Sequence, residues 1–265
     1  MPFVHVNRNE LFFRVDGDPA APALMLSNSL GTDHRMWDGQ IEAFSQHFRV
    51  IRYDSRGHGQ SESPPGPYTI EDLAQDALGL MDELHLGRAA FCGLSLGGMV
   101  GQWIAVHAPA RLAHLVLANT APRIGPPEAW DQRIAAVEKG GMKAVADAVV
   151  TRWFTKEFQR RNSLAATSLK QMLLAIDPAG YAATCAAIRD MDLSGVISDI
   201  ATPTLVIAGR DDAVTTLEDA KALVDAIGGA WGKVLNAAHL SNVEDAAEFD
   251  DAVLKFLLTT EASHG

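Results

Sequence analysis

Short apolar runs rich in β-forming residues alternate along the chain with segments whose apolar residues recur at helical spacing. The apolar runs predict strands at residues 11–15, 23–27, 50–53, 89–93, 112–119, 204–209 and 233–235. The helical spacing predicts helices at residues 70–84, 97–107, 217–227 and 243–258. This alternation indicates an α/β fold, in which a mostly parallel sheet is covered by helices on both faces.

Residues 121–198 interrupt this alternation. Pro122, Pro126 and Pro127 open the segment, and several helical patterns without a convincing strand follow. We therefore predict one core domain made of residues 1–120 and 199–265, with residues 121–198 inserted as a helical lid. A chain of 265 residues is compatible with a single large domain of this kind.

The net charge of the chain indicates which classes of binding partner are not expected. Its net charge is -11, which argues against nucleic acid or an anionic membrane surface, because both are bound through clustered Lys and Arg. The sequence shows neither a signal-peptide pattern nor an apolar run of membrane-spanning length. Cys92 and Cys185 are the only cysteines, which favours a reducing compartment. We expect a cytoplasmic protein, and a homo-oligomer is compatible with the sequence.

Neither a cofactor nor a metal is expected. The chain lacks the paired spacing of His, Cys or carboxylates that holds zinc. Gly57 and Gly59 do not complete the three-glycine fingerprint of a dinucleotide site, and His58 between them is not expected to be a catalytic base.

A candidate nucleophile lies between a predicted strand and a predicted helix. The sequence Gly-Leu-Ser-Leu-Gly at residues 93–97 has the form G-x-S-x-G, in which the serine occupies a sharp, strained turn. Gly93 and Gly97 would leave room for the backbone around Ser95. The following helix would direct free N–H groups and its positive end at the reacting atoms. The alternative is a capping serine at a glycine-rich helix start.

A serine hydroxyl needs a base to take its proton and a carboxylate to orient that base. With a nucleophile in such a turn, the acid is expected next along the chain and the base last. His239 follows the last predicted strand in a loop of small residues, whereas His264 lies in a polar tail, so His239 is the predicted base. Asp211 and Asp212 both follow the strand at 204–209, and the loop permits either as the acid.

Taken together, these features resemble the α/β-hydrolase superfamily over essentially the whole chain. The resemblance implies a mostly parallel eight-stranded sheet flanked by helices, with an inserted helical lid. The sequence Asp-Ser-Arg-Gly-His-Gly-Gln-Ser at 54–61 is similar to the D-x-R-G-x-G-x-S loop of that family, and 209–212 is similar to its acid loop. This spacing implies Asp212 as the acid. Residues 28–31, six positions before Trp37, match the family's oxyanion segment in spacing, although Asn and Ser replace its usual His-Gly. The match implies that the N–H groups of Leu30 and Leu96 form the oxyanion hole.

Within the superfamily, the chain most resembles the 3-oxoadipate enol-lactonases of bacterial aromatic-acid catabolism. The similar segments are residues 117–121, 152–155, 188–193 and 239–244. In the predicted lid, Trp130 and Arg133 are three residues apart on one helix face, where they could receive a small anion. We predict Trp130, Arg133 and Trp153 as substrate-binding residues, with a solvated charge and core packing as the alternatives.

The resemblance implies that Ser95 opens the lactone ring of 3-oxoadipate enol-lactone through an acyl-enzyme, giving 3-oxoadipate. The expected partner is thus a small anionic lactone. A first alternative is a general carboxylesterase or a carbon–carbon bond hydrolase with the same three residues. A second is a small-ligand binding protein that keeps the fold without turnover.

Overall fold

The computed structural model describes residues 2–261 and contains one eight-stranded sheet in the order β1-β2-β4-β3-β5-β6-β7-β8. The strands are β1 Phe3–Val6, β2 Asn9–Asp16, β3 Ala23–Ser27, β4 Arg49–Tyr53, β5 Ala89–Leu94, β6 Leu112–Ala118, β7 Thr204–Gly209 and β8 Trp231–Leu235. β1 and β2 are antiparallel to their neighbours, and the other adjacent strands are parallel. The predicted α/β fold with a mostly parallel sheet is confirmed.

Helices cover the sheet and fill the long connection between β6 and β7. The helices are α1 Ile41–Phe44, α2 Ile70–Glu83, α3 Leu96–His107, α4 Pro127–Gly140, α5 Ala146–Trp153, α6 Lys156–Arg161, α7 Ser163–Leu174, α8 Pro178–Asp190, α9 Leu217–Ala226, α10 Ser241–Glu244 and α11 Ala246–Glu261. Short 3-10 helices lie at His34–Gln40, Pro109–Arg111, Met142–Ala144 and Ile197–Asp199.

The core lies on both faces of the central strands. Every residue of β5 and of β7 is buried, as expected for parallel strands with helices on both sides. Ser27 of β3 is paired with Gly93 of β5, and Leu94 of β5 with Ala118 of β6. The carboxyl ends of these strands therefore meet at one edge of the sheet, and the loops that follow them are brought together.

Two details differ from the sequence prediction. β1 was not predicted, because it is a short strand at the sheet's edge with mostly exposed or half-buried side chains. The single helix predicted at 243–258 is two helices that break at Asp245. Its carboxylate accepts a hydrogen bond from Asn236 N over 3.2 Å, which ties the break to the loop after β8.

Residues 121–198, called the insertion below, contain α4 to α8 and no strand among the described residues. α4 packs against α8. Leu240 N donates a hydrogen bond to Trp153 O over 3.0 Å, so the insertion contacts the loop that follows β8. Its function as a lid stays a prediction.

Two further observations concern the chain as a whole. None of the helices within residues 2–261 combines the length and the apolar character needed to cross a membrane. Cys92 and Cys185 are both buried, and both are free thiols.

Candidate active site

Ser95 lies in a strained turn between β5 and α3. Its backbone has φ 57° and ψ -113°, a region that residues with a side chain rarely adopt. A Cβ atom on Gly93 would lie 2.1 Å from Gly97 O, and one on Gly97 would lie 2.1 Å from Ser27 O. The two glycines are therefore required by close backbone approach, and the serine is presented at the carboxyl edge of the sheet.

The structure brings Ser95, His239 and Asp212 into one hydrogen-bonded chain. His239 Nε2 lies 2.9 Å from Ser95 Oγ, and His239 Nδ1 lies 2.8 Å from Asp212 Oδ2. An ionised carboxylate can only accept, so Nδ1 donates to Asp212 and Nε2 of the neutral ring accepts from the hydroxyl. Asp211 is exposed, and Asp212 is the aspartate of the pair that contacts the histidine.

Asp212 is held ionised by a set of donors. Its Oδ2 accepts from Asn119 Nδ2 at 2.9 Å and from Thr215 Oγ1 at 2.8 Å, while Oδ1 accepts from Val214 N at 2.7 Å. Burial alone raises the pKa of this carboxyl. The electrostatic interaction with His239 and the hydrogen bonds from His239, Asn119 and Val214 outweigh burial and lower the pKa to about 2. No role was predicted from the sequence for Asn119 or for Thr215.

The loop after β3 is fixed beside this chain of residues. Gly97 N donates to Asn28 O over 3.0 Å, which ties the loop to the start of α3. The side chain of Asn28 donates to Tyr53 O at 2.7 Å and accepts from Trp37 Nε1 at 2.9 Å. The six-residue spacing from this loop segment to Trp37, noted in the sequence, thus accompanies a direct hydrogen bond that rigidifies the loop.

The predicted oxyanion residues lie on the two segments that are joined by the hydrogen bond from Gly97 N to Asn28 O. Leu30 follows Asn28 and Ser29 in the loop and lines the cavity above Ser95. Leu96 is the first residue of α3, where an N–H group has no acceptor within the helix. Both amides belong to segments held in place by the backbone, and their role as oxyanion donors is taken up below as a proposal.

His58 supports the same loop. Gly31 N donates to His58 Nε2 over 3.1 Å, and His58 Nδ1 lies 3.3 Å from Arg56 O. This arrangement requires a neutral ring with its hydrogen on Nδ1. The ring is buried, and burial lowers the pKa of His58. The histidine thus acts as an acceptor for the loop, a contact that its position between two glycines did not reveal.

A narrow cavity lies above Ser95. The volume within it that the centre of a water molecule can occupy is about 40 Å³. Its lining residues come from the core and the insertion: Ser29, Leu30, Ser95, Ile124, Trp130, Arg133, Val149, Arg152, Trp153, Tyr181, Ile188, Val214 and His239. Trp130, Arg133 and Trp153, predicted from the sequence to bind substrate, all lie in this wall. Arg152 and Tyr181 had not been singled out. The Arg133 guanidinium lies over the Trp130 ring, 4.6 Å from its centroid.

A buried cluster of Asp33, His34 and Asp54 lies nearby, with ligand atoms within 4.8 Å of one another. His34 Nδ1 is 2.8 Å from Asp54 Oδ1, and Asp54 Oδ2 accepts from Gln60 N at 2.8 Å. Asp33 pairs with Arg35 at 2.5 Å. Each of these side chains therefore already has a protein partner that organises the loops around it.

Comparisons with known proteins identify the family of this chain. A family model described as the α/β hydrolase fold matches residues 22–152. The chain is 42% identical to 3-oxoadipate enol-lactonase 2 of Acinetobacter baylyi, over 89% of each chain. The crystal structure of the enol-lactonase from Burkholderia xenovorans superposes with a TM-score of 0.96 at 46% identity, over 97% of this chain and 100% of the other. A thermophilic esterase from Thermogutta terrifontis, solved with malate bound, superposes with a TM-score of 0.91 at 30% identity, over 97% of each chain. The chain belongs to the α/β-hydrolase family, and its resemblance to the enol-lactonases of that family is confirmed.

Proposed function

We propose that this protein is a serine hydrolase that opens the lactone ring of 3-oxoadipate enol-lactone and releases 3-oxoadipate. The observation that carries the proposal is the hydrogen-bonded chain from Ser95 through His239 to Asp212, which borders a narrow cavity. The relatives named as enol-lactonases, at 42% and 46% identity over most of the chain, support the choice of substrate.

Ser95 acts as the nucleophile. His239 Nε2 takes the proton from Ser95 Oγ as that oxygen forms a bond to the lactone carbonyl carbon. Asp212 holds the ring in the tautomer that leaves Nε2 free and stabilises the imidazolium that forms. With its pKa near 2, the carboxylate stays ionised throughout the neutral range.

Negative charge develops on the carbonyl oxygen during this attack. We assign the N–H groups of Leu30 and Leu96 as its donors, because both segments are fixed by the hydrogen bond between Gly97 N and Asn28 O. Prearranged donors of this kind need no reorganisation during the reaction, and losing one typically costs about 3 kcal/mol of transition-state stabilisation.

The intermediate then collapses. The ring carbon–oxygen bond breaks, the enol oxygen takes the proton from His239, and the enol tautomerises to a ketone. An enol is a better leaving group than an alkoxide, so ring opening is favoured. His239 next removes a proton from water as the water oxygen attacks the ester carbonyl on Ser95. The bond to Ser95 Oγ then breaks, Oγ takes the proton from His239, and the second carboxylate of the product is released.

We place the substrate against the lining residues predicted from the sequence. Trp130 and Trp153 are buried and supply apolar wall, and Arg133 supplies positive charge. The insertion would act as the lid over this pocket. A narrow cavity favours a small ring over a long acyl chain.

A second candidate function is a general carboxylesterase, and it is favoured by the similarity to an esterase at 30% identity. The same three residues would act in it. A preference for simple aryl esters over the enol-lactone would support that function. The carbon–carbon bond hydrolase and the non-catalytic binding protein, which were alternatives from the sequence, have no such specific observation in their favour.

The biological setting is part of the proposal. The reaction belongs to the bacterial breakdown of aromatic acids, and buried free thiols fit a cytoplasmic location. Absence of nucleic acid and membrane partners stays a prediction from the net charge of -11. A homo-oligomer likewise stays a prediction, to be checked by light scattering.

The test is to follow loss of the enol-lactone chromophore with purified protein. The wild type should turn over the lactone, and Ser95→Ala should lose at least about a thousandfold in kcat. Equal turnover by the two proteins would refute Ser95 as nucleophile. Rapid hydrolysis of aryl esters together with no turnover of the lactone would replace the lactonase with the esterase.

A further inference from the structure

Two arginines of the insertion share the wall of the cavity that contains Ser95. Arg133 belongs to α4 and Arg152 to α5. Within residues 2–261 neither guanidinium forms an ion pair with a carboxylate, and Arg152 Nε donates to the backbone oxygen of Ala148. Other basic residues of the insertion do form such pairs, namely Arg123, Arg161, Lys170 and Arg189. Of the basic residues of the insertion without such a pair in the described chain, Arg133 and Arg152 are the two that line the cavity.

The two like charges act on each other. Burial and the nearby charge of Arg133 both lower the pKa of the Arg152 guanidinium. None of the residues lining the cavity is Asp or Glu. Arg133 is half-buried and Arg152 is exposed, and an anion between the two guanidinium groups would offset the repulsion that solvent leaves unscreened.

Tyr181 completes the same wall from α8. The residue is fully buried, and within the described chain its hydroxyl makes no hydrogen bond of good geometry, although Arg133 lies close enough to interact with it as a donor. Burial raises the pKa of Tyr181, so the hydroxyl keeps its proton and remains a donor. Both Arg133 and Arg152 are close enough for their charges to act on this tyrosine. A guanidinium can only donate to the phenol oxygen, so the phenol hydrogen has no acceptor among the described residues, and a ligand oxygen would supply one.

We propose that Arg133, Arg152 and Tyr181 form a carboxylate subsite, so that the enzyme selects lactones whose ring carries an acidic side chain. The inference rests on the proposed function for the identity of the reacting group. It adds Arg152 and Tyr181 to the Arg133 predicted from the sequence, and it makes these residues determinants of substrate class.

The chemistry of the three side chains fits a single carboxylate. Two guanidinium groups can each donate to an oxygen of the anion, and the phenol can donate a further hydrogen bond.

The negative net charge of the whole chain means that an anionic substrate needs a local site of positive charge. Residues 121–198 contain 10 Lys and Arg against 8 Asp and Glu, whereas the whole chain has a net charge of -11. An anionic substrate approaching an acidic protein would be attracted to the insertion.

The experiment compares two lactones with the same ring. One is 3-oxoadipate enol-lactone, and the other carries a methyl group in place of the carboxymethyl group. For each protein, kcat/KM is measured on both, and the ratio of the two values reports recognition of the carboxylate. The variants are Arg152→Gln, Arg133→Gln and Tyr181→Phe. Arg161→Gln is the matched control, because it removes one positive charge from an exposed position of the insertion.

We expect the wild-type ratio to exceed ten and to fall about tenfold in each arginine variant, since a hydrogen bond to a charged group has about this effect on affinity. Tyr181→Phe should lower the ratio about threefold, and Arg161→Gln should leave it unchanged. A wild-type ratio near one, or a ratio unchanged in Arg152→Gln, would overturn the subsite while leaving the lactonase intact.

A binding measurement distinguishes failure of the proposed lactonase activity from failure of the carboxylate subsite. If the wild type turns over neither lactone, the proposed function is wrong, and the subsite is judged from the rise in melting temperature caused by 3-oxoadipate. A rise in the wild type that is lost in Arg152→Gln supports the subsite. An equal rise in both proteins, or none in the wild type, overturns it.

Discussion

Ser241 Oγ donates a hydrogen bond to Asn119 Oδ1 over 2.5 Å, which fixes the orientation of the Asn119 amide. With Oδ1 occupied, Nδ2 points the other way and donates to Asp212 Oδ2 at 2.9 Å and to Ala238 O at 3.1 Å. Asn119 therefore joins the acid of the proposed triad to the backbone just before His239. It is a positioning residue, since it acts on the substrate through Asp212 and His239.

Removing this amide should reduce turnover more than it reduces stability. We predict that Asn119→Gly lowers kcat about tenfold, because a hydrogen bond to a charged group typically contributes about 1.5–3 kcal/mol. Glycine is the right replacement because Asn119 has a positive φ of 47°, which glycine adopts without strain. Kinetics on the enol-lactone would measure kcat and KM separately, and KM should change little.

Asn7→Gly is the matched control for this variant. Asn7 also has a positive φ, of 50°, and its side chain contacts Asp76, a residue outside the cavity lining. Turnover by Asn7→Gly should equal that of the wild type. If the two variants lose kcat to the same extent, the effect of Asn119 is not exerted through Asp212.

The fold could be predicted from the sequence because its central strands are continuous apolar runs. β3 and β7 have the predicted bounds, since all but one of their residues are buried, a proline precedes each strand and a polar residue follows it. β1 could not be found in the same way. The strand has only four residues and one of them is buried, so pairing with β2, and not burial, defines it.

The candidate site was predictable where it depends on backbone geometry. Gly93 and Gly97 are required by contacts under 3 Å, and such a constraint leaves a sequence pattern around Ser95. The choice between Asp211 and Asp212 depends on which one is buried beside His239, and local residues do not encode that difference. Arg152 and Tyr181 were missed because α5 and α8 meet at the cavity only through the packing of the insertion.

The turn around Ser95 should not accept a larger residue at position 93. We predict that Gly93→Ala destabilises the protein by about 3 kcal/mol or more, because the new methyl group would lie 2.1 Å from Gly97 O, a backbone atom that cannot move aside alone. Urea unfolding would measure the change. Gly39→Ala is the control, since a Cβ there has no atom within 4 Å. A stable, active Gly93→Ala would show that the turn can relax.

Asp250 on α11 should reduce stability at alkaline pH. Burial raises its pKa from the ordinary 3.8 to about 6, and the nearby side chain of Gln40 offsets only part of this effect. The folded state therefore binds the proton more tightly than the unfolded state. The stability that this proton provides is fully present below about pH 3.8 and is lost as the pH rises through about 6.

Asp250→Asn removes this titration. Because Asp250 is only half-buried, solvent screening reduces the expected gain to about 1 kcal/mol at pH 8, with almost no gain at pH 4. Thermal unfolding at the two pH values would measure it. Asp251→Asn changes the same charge at an exposed neighbouring position and should show no such pH dependence. An equal gain at both pH values would assign the effect to something other than the carboxyl proton.

Glu244 on α10 connects the insertion to the loop that carries His239. Its Oε2 accepts from Ala238 N at 2.9 Å, and both carboxylate oxygens accept from Thr155 N at 3.2 Å. Thr155 Oγ1 donates to the same carboxylate. One side chain thus holds the residue before His239 and the segment that follows Trp153.

Glu244→Gln should therefore weaken the contacts of residue 244 with the loop of His239 and with the insertion. The new amide places a donor where an oxygen accepts from N–H groups, so at least one of these hydrogen bonds is lost. We predict a fall in kcat/KM of about tenfold, on the basis that a charged hydrogen bond contributes about 1.5–3 kcal/mol, and a melting temperature lower by a few degrees. Steady-state kinetics and thermal unfolding would measure the two effects.

Glu248→Gln is the control for this last variant, because Glu248 is an exposed glutamate that pairs with Lys233 on the surface. It should leave both measurements unchanged. A double-mutant cycle of Glu244→Gln with Thr155→Val then distinguishes the contact of Glu244 with Thr155 from its contact with Ala238 N. Loss of Thr155 alone should lower the melting temperature and retain most of kcat, since Ala238 N would still be held by Glu244. If Thr155→Val removes as much kcat as Glu244→Gln does, the effect on turnover passes through the insertion and not through the loop of His239.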